Sequence, residues 1–91
     1  GGRITYKEKT LDESANFVDA DYLKMFSIKL LKGNANSALK DLGNVVLRED
    51  IAKNIFGNED PMGKTFLMNV GGQNKSFVVT GVSEKLPDNT S

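Results

Sequence analysis

The stretch Gly57–Thr65, GNEDPMGKT, holds the residue types that a phosphate site uses: two glycines, a lysine and a hydroxyl side chain. In a P-loop, backbone amides cradle phosphates and the lysine reaches them. Three features argue against that chemistry here. The gap between Gly57 and Gly63 is one residue longer than the motif's. Glu59 and Asp60 would repel a phosphate. The motif runs from strand into helix, whereas here a helical pattern precedes and a strand pattern follows. Direct nucleotide binding is therefore not expected, and Lys64 is expected at the start of a strand, outside any phosphate nest.

Four carboxylate pairs, Asp12/Glu13, Asp19/Asp21, Glu49/Asp50 and Glu59/Asp60, could in principle do acid–base work or hold calcium. None has the spacing of a calcium loop, and each suits a turn or a helix N-terminus. Lys24, Lys29 and Lys32 read as a solvated basic face without the interleaved aromatics of a base-stacking platform. Ser14, Ser27, Ser37, Ser76, Ser83 and Ser91 have no histidine to activate them, because the chain has none. Cysteine is absent too, which removes disulfides, thiolate catalysis and thiolate metal sites. No catalytic, cofactor-binding or metal-ligating residue, and no cofactor, is assigned.

Composition sets further bounds. The 91 residues fit one domain with a thin core, at 38% hydrophobic content. Twelve basic residues balance twelve acidic ones, so no electrostatic case exists for nucleic acid. No apolar run approaches the roughly 20 residues of a membrane-spanning helix.

The elements that would carry these residues are centred on Asn44–Lys64. Val45, Val46 and Leu47 read as a buried strand. Glu49 and Asp50 suit a first helical turn, and Ile51, Ala52, Ile55 and Phe56 make one apolar stripe. Gly57 fits a C-terminal cap, while Pro61 and Gly63 fit a rigid turn. Before this, Arg3–Lys9 alternates as a strand, Asp12–Ser14 reads as a turn, and Ala15, Phe17 and Val18 as the second strand of a hairpin. A short helix capped by Asp19 or Asp21 runs through Phe26, with Tyr22, Leu23, Met25 and Phe26 as its core members. Ile28, Leu30 and Leu31 are extended up to Gly33. Asn34–Gly43 reads as a flexible loop with one helical turn at Ser37–Leu39. Afterwards Phe66, Met68 and Val70 share one face of a strand, with Thr65, Leu67 and Asn69 on the other. Gly71–Asn74 is hairpin-turn chemistry. Ser76–Val82 places Phe77 and Val79 on one face, Val78 and Val82 on the other, as an interior strand does. The reading is α+β: a small antiparallel or mixed sheet with two or three short helices, in one domain over residues 1–91.

Four pieces carry a resemblance: FVDADYLKMFSIKLLKGN at Phe17–Asn34, ALKD at Ala38–Asp41, NVVLREDIAKNIFGNEDPMGKTF at Asn44–Phe66 and FVVTGVSEKLPDNTS at Phe77–Ser91. In order and spacing they resemble the MacB-like periplasmic core domain of FtsX-like ABC transporter permeases, Bacteroidetes-type variants above all. IAKNIFGNEDPMGKT is the most specific piece, and residues 1–16 match only weakly. The resemblance implies a non-enzymatic extracytoplasmic domain at the periplasmic face of the cytoplasmic membrane, part of a larger fold. It implies that such a domain relays ATP-driven motion to envelope cargo or partner proteins. The implied partners are the remaining permease, its nucleotide-binding subunit, and a periplasmic adaptor or lipoprotein cargo. An apolar surface or strand edge beyond Val82 and Pro87 would favour self-association. The competing reading is a free-standing domain that binds a small ligand or peptide.

Overall fold

The computed structural model describes residues 2–13, 17–18, 25, 27–34, 37–38 and 40–85. Their elements are strands β1 (Gly2–Tyr6), β2 (Lys9–Glu13), β3 (Phe17–Val18), β4 (Leu30–Gly33) and β5 (Asn44–Arg48), helix α1 (Glu49–Phe56), and strands β6 (Thr65–Val70) and β7 (Gln73–Ser83). Among the described residues these strands form a single seven-stranded sheet in the order β2-β1-β6-β7-β5-β3, with β4 paired to β7 off that path. The sheet is mixed. β5 runs parallel to β7, and every other pairing is antiparallel.

The helix forms where the apolar stripe places it. Ile51, Ala52, Ile55 and Phe56 are buried on one face of α1. They pack on Ile4, Val45, Leu47, Phe66, Met68, Val79 and Val82 from β1, β5, β6 and β7. Four rings cross this core in a row: Tyr6 edge-on to Phe56 at 4.6 Å, Phe56 to Phe66 at 6.4 Å, and Phe66 stacked on Phe77 at 5.9 Å. No side chain caps the helix N-terminus. Instead Arg48 folds over the first turn and donates to both oxygens of Asp50, at 2.6 and 2.9 Å. The helix stops at Gly57, whose φ is 63°.

The opposite face of β5 and β7 carries a smaller apolar cluster, Ala38 and Val46 with Leu30 against them. The segment before β5 is anchored there. The Ala38 amide donates to the Asn34 carbonyl at 2.8 Å, and Ala38 itself is buried. Leu39 lies outside the described residues. Gly33 approaches β7 so closely that a Cβ on it would lie 2.4 Å from the Thr80 carbonyl oxygen.

Several expectations are corrected. The first hairpin turns at Lys7–Glu8, with Tyr6 opposite Lys9, so residues 9–13 are strand and Asp12–Glu13 is no turn. Lys7 adopts the positive φ, 54°, that a two-residue hairpin turn demands. Phe17–Val18 is a strand, but it pairs with β5 and not with the first strand. In β7 the register with β5 skips Thr80, so Val79 faces Val45 and Gly81 faces Val46. This bulge returns Val82 to the same face as Val79, where alternation alone had set them apart. The fold is also richer in sheet than expected, and α1 is the one helix whose extent is described. The helix expected up to Phe26 lies outside the described residues except for Met25, which is helical but 74% exposed and so not a core member.

Candidate functional site

The segment from Gly57 to Lys64 leaves the end of α1 and enters β6, and it spends its polar groups internally. The Gly57 amide donates to Lys53 O at 2.8 Å, Glu59 to Phe56 O at 3.1 Å, and Lys64 to Pro61 O at 3.1 Å. The Gly63 amide donates to Val79 O at 2.8 Å, and the Val79 amide returns a bond to Lys64 O at 2.9 Å. The Met62 amide donates to Asp60 Oδ1 at 3.1 Å. Lys64 precedes β6, and its ammonium donates to the Asp60 carbonyl at 2.8 Å. The amides that a P-loop would aim at phosphate are therefore turned onto protein oxygens.

The adjacent carboxylates Glu59 and Asp60 each hold a different element. Glu59 Oε1 accepts the Tyr6 hydroxyl at 2.9 Å and lies 3.5 Å from Lys7 Nζ, which ties the loop to the β1–β2 turn. Asp60 Oδ1 accepts Lys32 Nζ at 3.1 Å, which ties the loop to β4. The Tyr6 hydrogen bond, ahead of the Lys7 charge, holds the Glu59 carboxyl below its ordinary pKa. The Met62 amide, ahead of Lys32, does the same for Asp60. Desolvation and the bond to Glu59 push the Tyr6 phenol up. This short loop thus joins α1, the first hairpin, β4, β6 and β7.

Among the described residues, clefts lie on two sides of α1. One, of about 310 Å³, lies between the β1–β2 turn and the helix end, lined by Tyr6, Lys7, Glu8, Lys9, Phe56 and Glu59 among others. The other, of about 270 Å³, lies between α1 and residues 57–61 with Val82 in its lining.

The remaining sequence candidates are dispersed. Asp12 pairs with Arg3 at 3.3 Å. Glu49 accepts the Lys85 amide at 3.3 Å, and Asp50 is held by Arg48. The Lys29 backbone amide donates to Glu84, and the Lys32 side chain reaches Asp60. Ser27, Ser37 and Ser76 are exposed, while Ser83 is buried with no hydrogen-bond partner for its hydroxyl. Asp19, Asp21, Lys24, Ser14 and Ser91 lie outside the described residues. The Tyr6–Glu59 contact went unread because 53 residues separate its partners and no local pattern links them. The Thr80 bulge has a faint sequence signal, a glycine just after a run of β-branched residues.

Comparison with known proteins now bears on this arrangement. The profile of the MacB-like periplasmic core domain family matches residues 1–91. Macrolide export ATP-binding/permease protein MacB from Neisseria gonorrhoeae is 30% identical over 88 residues, which covers 93% of this chain and 13% of that protein. MacB from Neisseria meningitidis serogroup B matches to the same extent. Among solved structures, the periplasmic region of MacB from Actinobacillus actinomycetemcomitans superposes with a TM-score of 0.69 at 29% identity, over 92% of this chain and 39% of that one. A domain of a Porphyromonas gingivalis protein assigned as a permease gives 0.72 at 25% identity, over 96% and 40%. The 91 residues thus correspond to a minor part of each relative. Matched by the profile throughout and folded like these solved domains, the chain belongs to the MacB-like periplasmic core domain family, the periplasmic domains of MacB-like ABC transporter permeases.

Proposed function

We propose that this domain relays ATP-driven motion of a permease to envelope cargo or to protein partners, and performs no catalysis itself. The partners in this reading are the remaining permease, its nucleotide-binding subunit, and a periplasmic adaptor or lipoprotein cargo. The observation that carries it is the loop at Gly57–Lys64, which binds the first hairpin through Glu59 and β4 through Asp60 while locked to β7 by two backbone hydrogen bonds. A relay needs elements that move together, and a proline-stiffened loop tied at several points meets that need. The absence of histidine and cysteine and the inward-turned amides support a domain without catalytic, cofactor or metal residues.

The test is made in the intact permease. Glu59→Ala combined with Asp60→Ala should leave basal ATP hydrolysis and membrane insertion unchanged while export or partner activation falls. Unaltered export in that double variant would sink the relay reading.

A further inference from the structure

The cleft between the β1–β2 turn and the end of α1 is suited to positive charge. Ile55 and Phe56 line it, with the Tyr6 ring edge-on to Phe56. Glu8 and Glu59 stand around it. The Asn54 carbonyl, in the last turn of α1, accepts from Lys9 of the lining. The chain's own cations already use these features. Lys7 Nζ lies 5.3 Å from the Tyr6 ring centroid and 3.5 Å from Glu59 Oε1. Lys9 Nζ donates to the Asn54 carbonyl at 3.3 Å. The Lys7 side chain is 68% exposed and can swing into water without disturbing the core. At about 310 Å³, the cleft is at the small end for ligand pockets and suits one long side chain.

We propose that this cleft receives an arginine side chain from a protein partner, which displaces the Lys7 ammonium. Arginine fits better than lysine for physical reasons. Its planar guanidinium stacks on the Tyr6 face, bonds a carboxylate such as Glu59 through two parallel donors, and sheds water more readily than an ammonium. The Tyr6 hydroxyl, bonded to Glu59 at 2.9 Å, fixes the carboxylate beside the ring. The inference goes beyond the relay reading. It concerns only the chemistry of the cleft, so the 91-residue chain tests it whether or not the relay reading holds.

The experiment follows backbone amide NMR shifts on titration with the blocked tripeptide acetyl-Gly-Arg-Gly-amide and its lysine and citrulline counterparts. The arginine peptide should give saturable shifts at Lys7, Glu8, Asn58 and Glu59, and the neutral citrulline peptide none. Glu59→Gln should weaken binding by about fivefold, the upper range for an exposed ion pair. Lys7→Ser should tighten it by about twofold, because the competing cation is gone. Equal binding of the lysine peptide, shifts scattered over the surface, or weaker binding to Lys7→Ser would each overturn the proposal. If Glu59→Gln does not fold, Lys7→Ser and the three peptides still decide.

Discussion

The two halves of β7 obey different rules within one strand. From Gln73 to Ser76 every residue is exposed, and the only paired neighbour is β6. From Val79 to Ser83 all but Thr80 are buried, with β5 on one edge and β4 on the other. The outer half is held by ladder hydrogen bonds and by the turn at Gly71–Gly72, both glycines at positive φ as a tight hairpin needs. The inner half is held by packing against α1 on one face and by the Ala38, Val46 and Leu30 cluster on the other. Backbone pairing alone can extend a hairpin into solvent, but it does not fix a core. β7 stays paired on both sides through Ser83, and the stretch past Lys85, where an apolar surface or open edge is expected, lies outside the described residues. Among the described strands the flanks without a paired strand are the outer sides of β2, β3 and β4 and one side of the outer half of β7.

The sharpest way to break this contrast is Phe56→Ala. Its ring touches Tyr6 and Phe66 and is 3% exposed. We expect a loss of about 3–5 kcal/mol by chemical denaturation. Ser76→Ala in the outer half should stay within about 0.5 kcal/mol of the parent.

Gly33→Ala comes next. The added carbon meets the Thr80 carbonyl at 2.4 Å, and φ is 94°. A cost of about 1–3 kcal/mol is expected, with amide exchange raised in β4 and in the inner half of β7 but not at Asn74 or Lys75. Equal protection loss in both halves would show that the two are not independent.

Asp50 gives a pH-dependent test of the inner region. Its carboxyl is held below the ordinary value of 3.8, first by the Arg48 hydrogen bonds, against some desolvation. A depressed pKa contributes stability that is present above 3.8 and lost as pH falls through the lower folded value. Asp50→Asn should therefore lower the urea midpoint at pH 7, with the gap to the parent closing below 3.8. A gap independent of pH would mean that the Arg48 contact adds nothing through charge.

The smallest effect is expected at the free flank of β2. Its Lys9 and Asp12 are exposed charges, which discourage edge pairing. We expect light scattering to show only weak self-association at high concentration, increased by Asp12→Val.

The inner region was legible in the sequence because local period and burial agree there. The stripe Ile51, Ala52, Ile55 and Phe56, and the run Val45–Leu47, lie where their patterns put them. The faces of β6 were equally readable, with Phe66 and Met68 buried and Leu67 42% exposed. The first hairpin was misread because Lys7 and Glu8 carry none of the usual turn residues, so Asp12–Ser14 drew the turn instead. The face of Val82 was misread because period-two counting has no memory of a bulge. The Glu59 and Asp60 ties were invisible for another reason. The sequence marks acidic residues in a turn, but only the assembled sheet brings Tyr6 and Lys32 to them.

The bulge at Thr80 has one more consequence, for how this chain tolerates changes in length. Thr80 is the extra residue of β7, its hydroxyl bonded to the carbonyls of Ala38 and Val45. Removing it would leave Phe77, Val79 and Val82 on the α1 face, and Val78, Gly81 and Ser83 on the other, in plain alternation. A deletion at Val78 would instead swap Phe77 onto the opposite face. Of these positions, Thr80 is where a residue can be gained or lost in the sheet interior without permuting which side chains meet the helix.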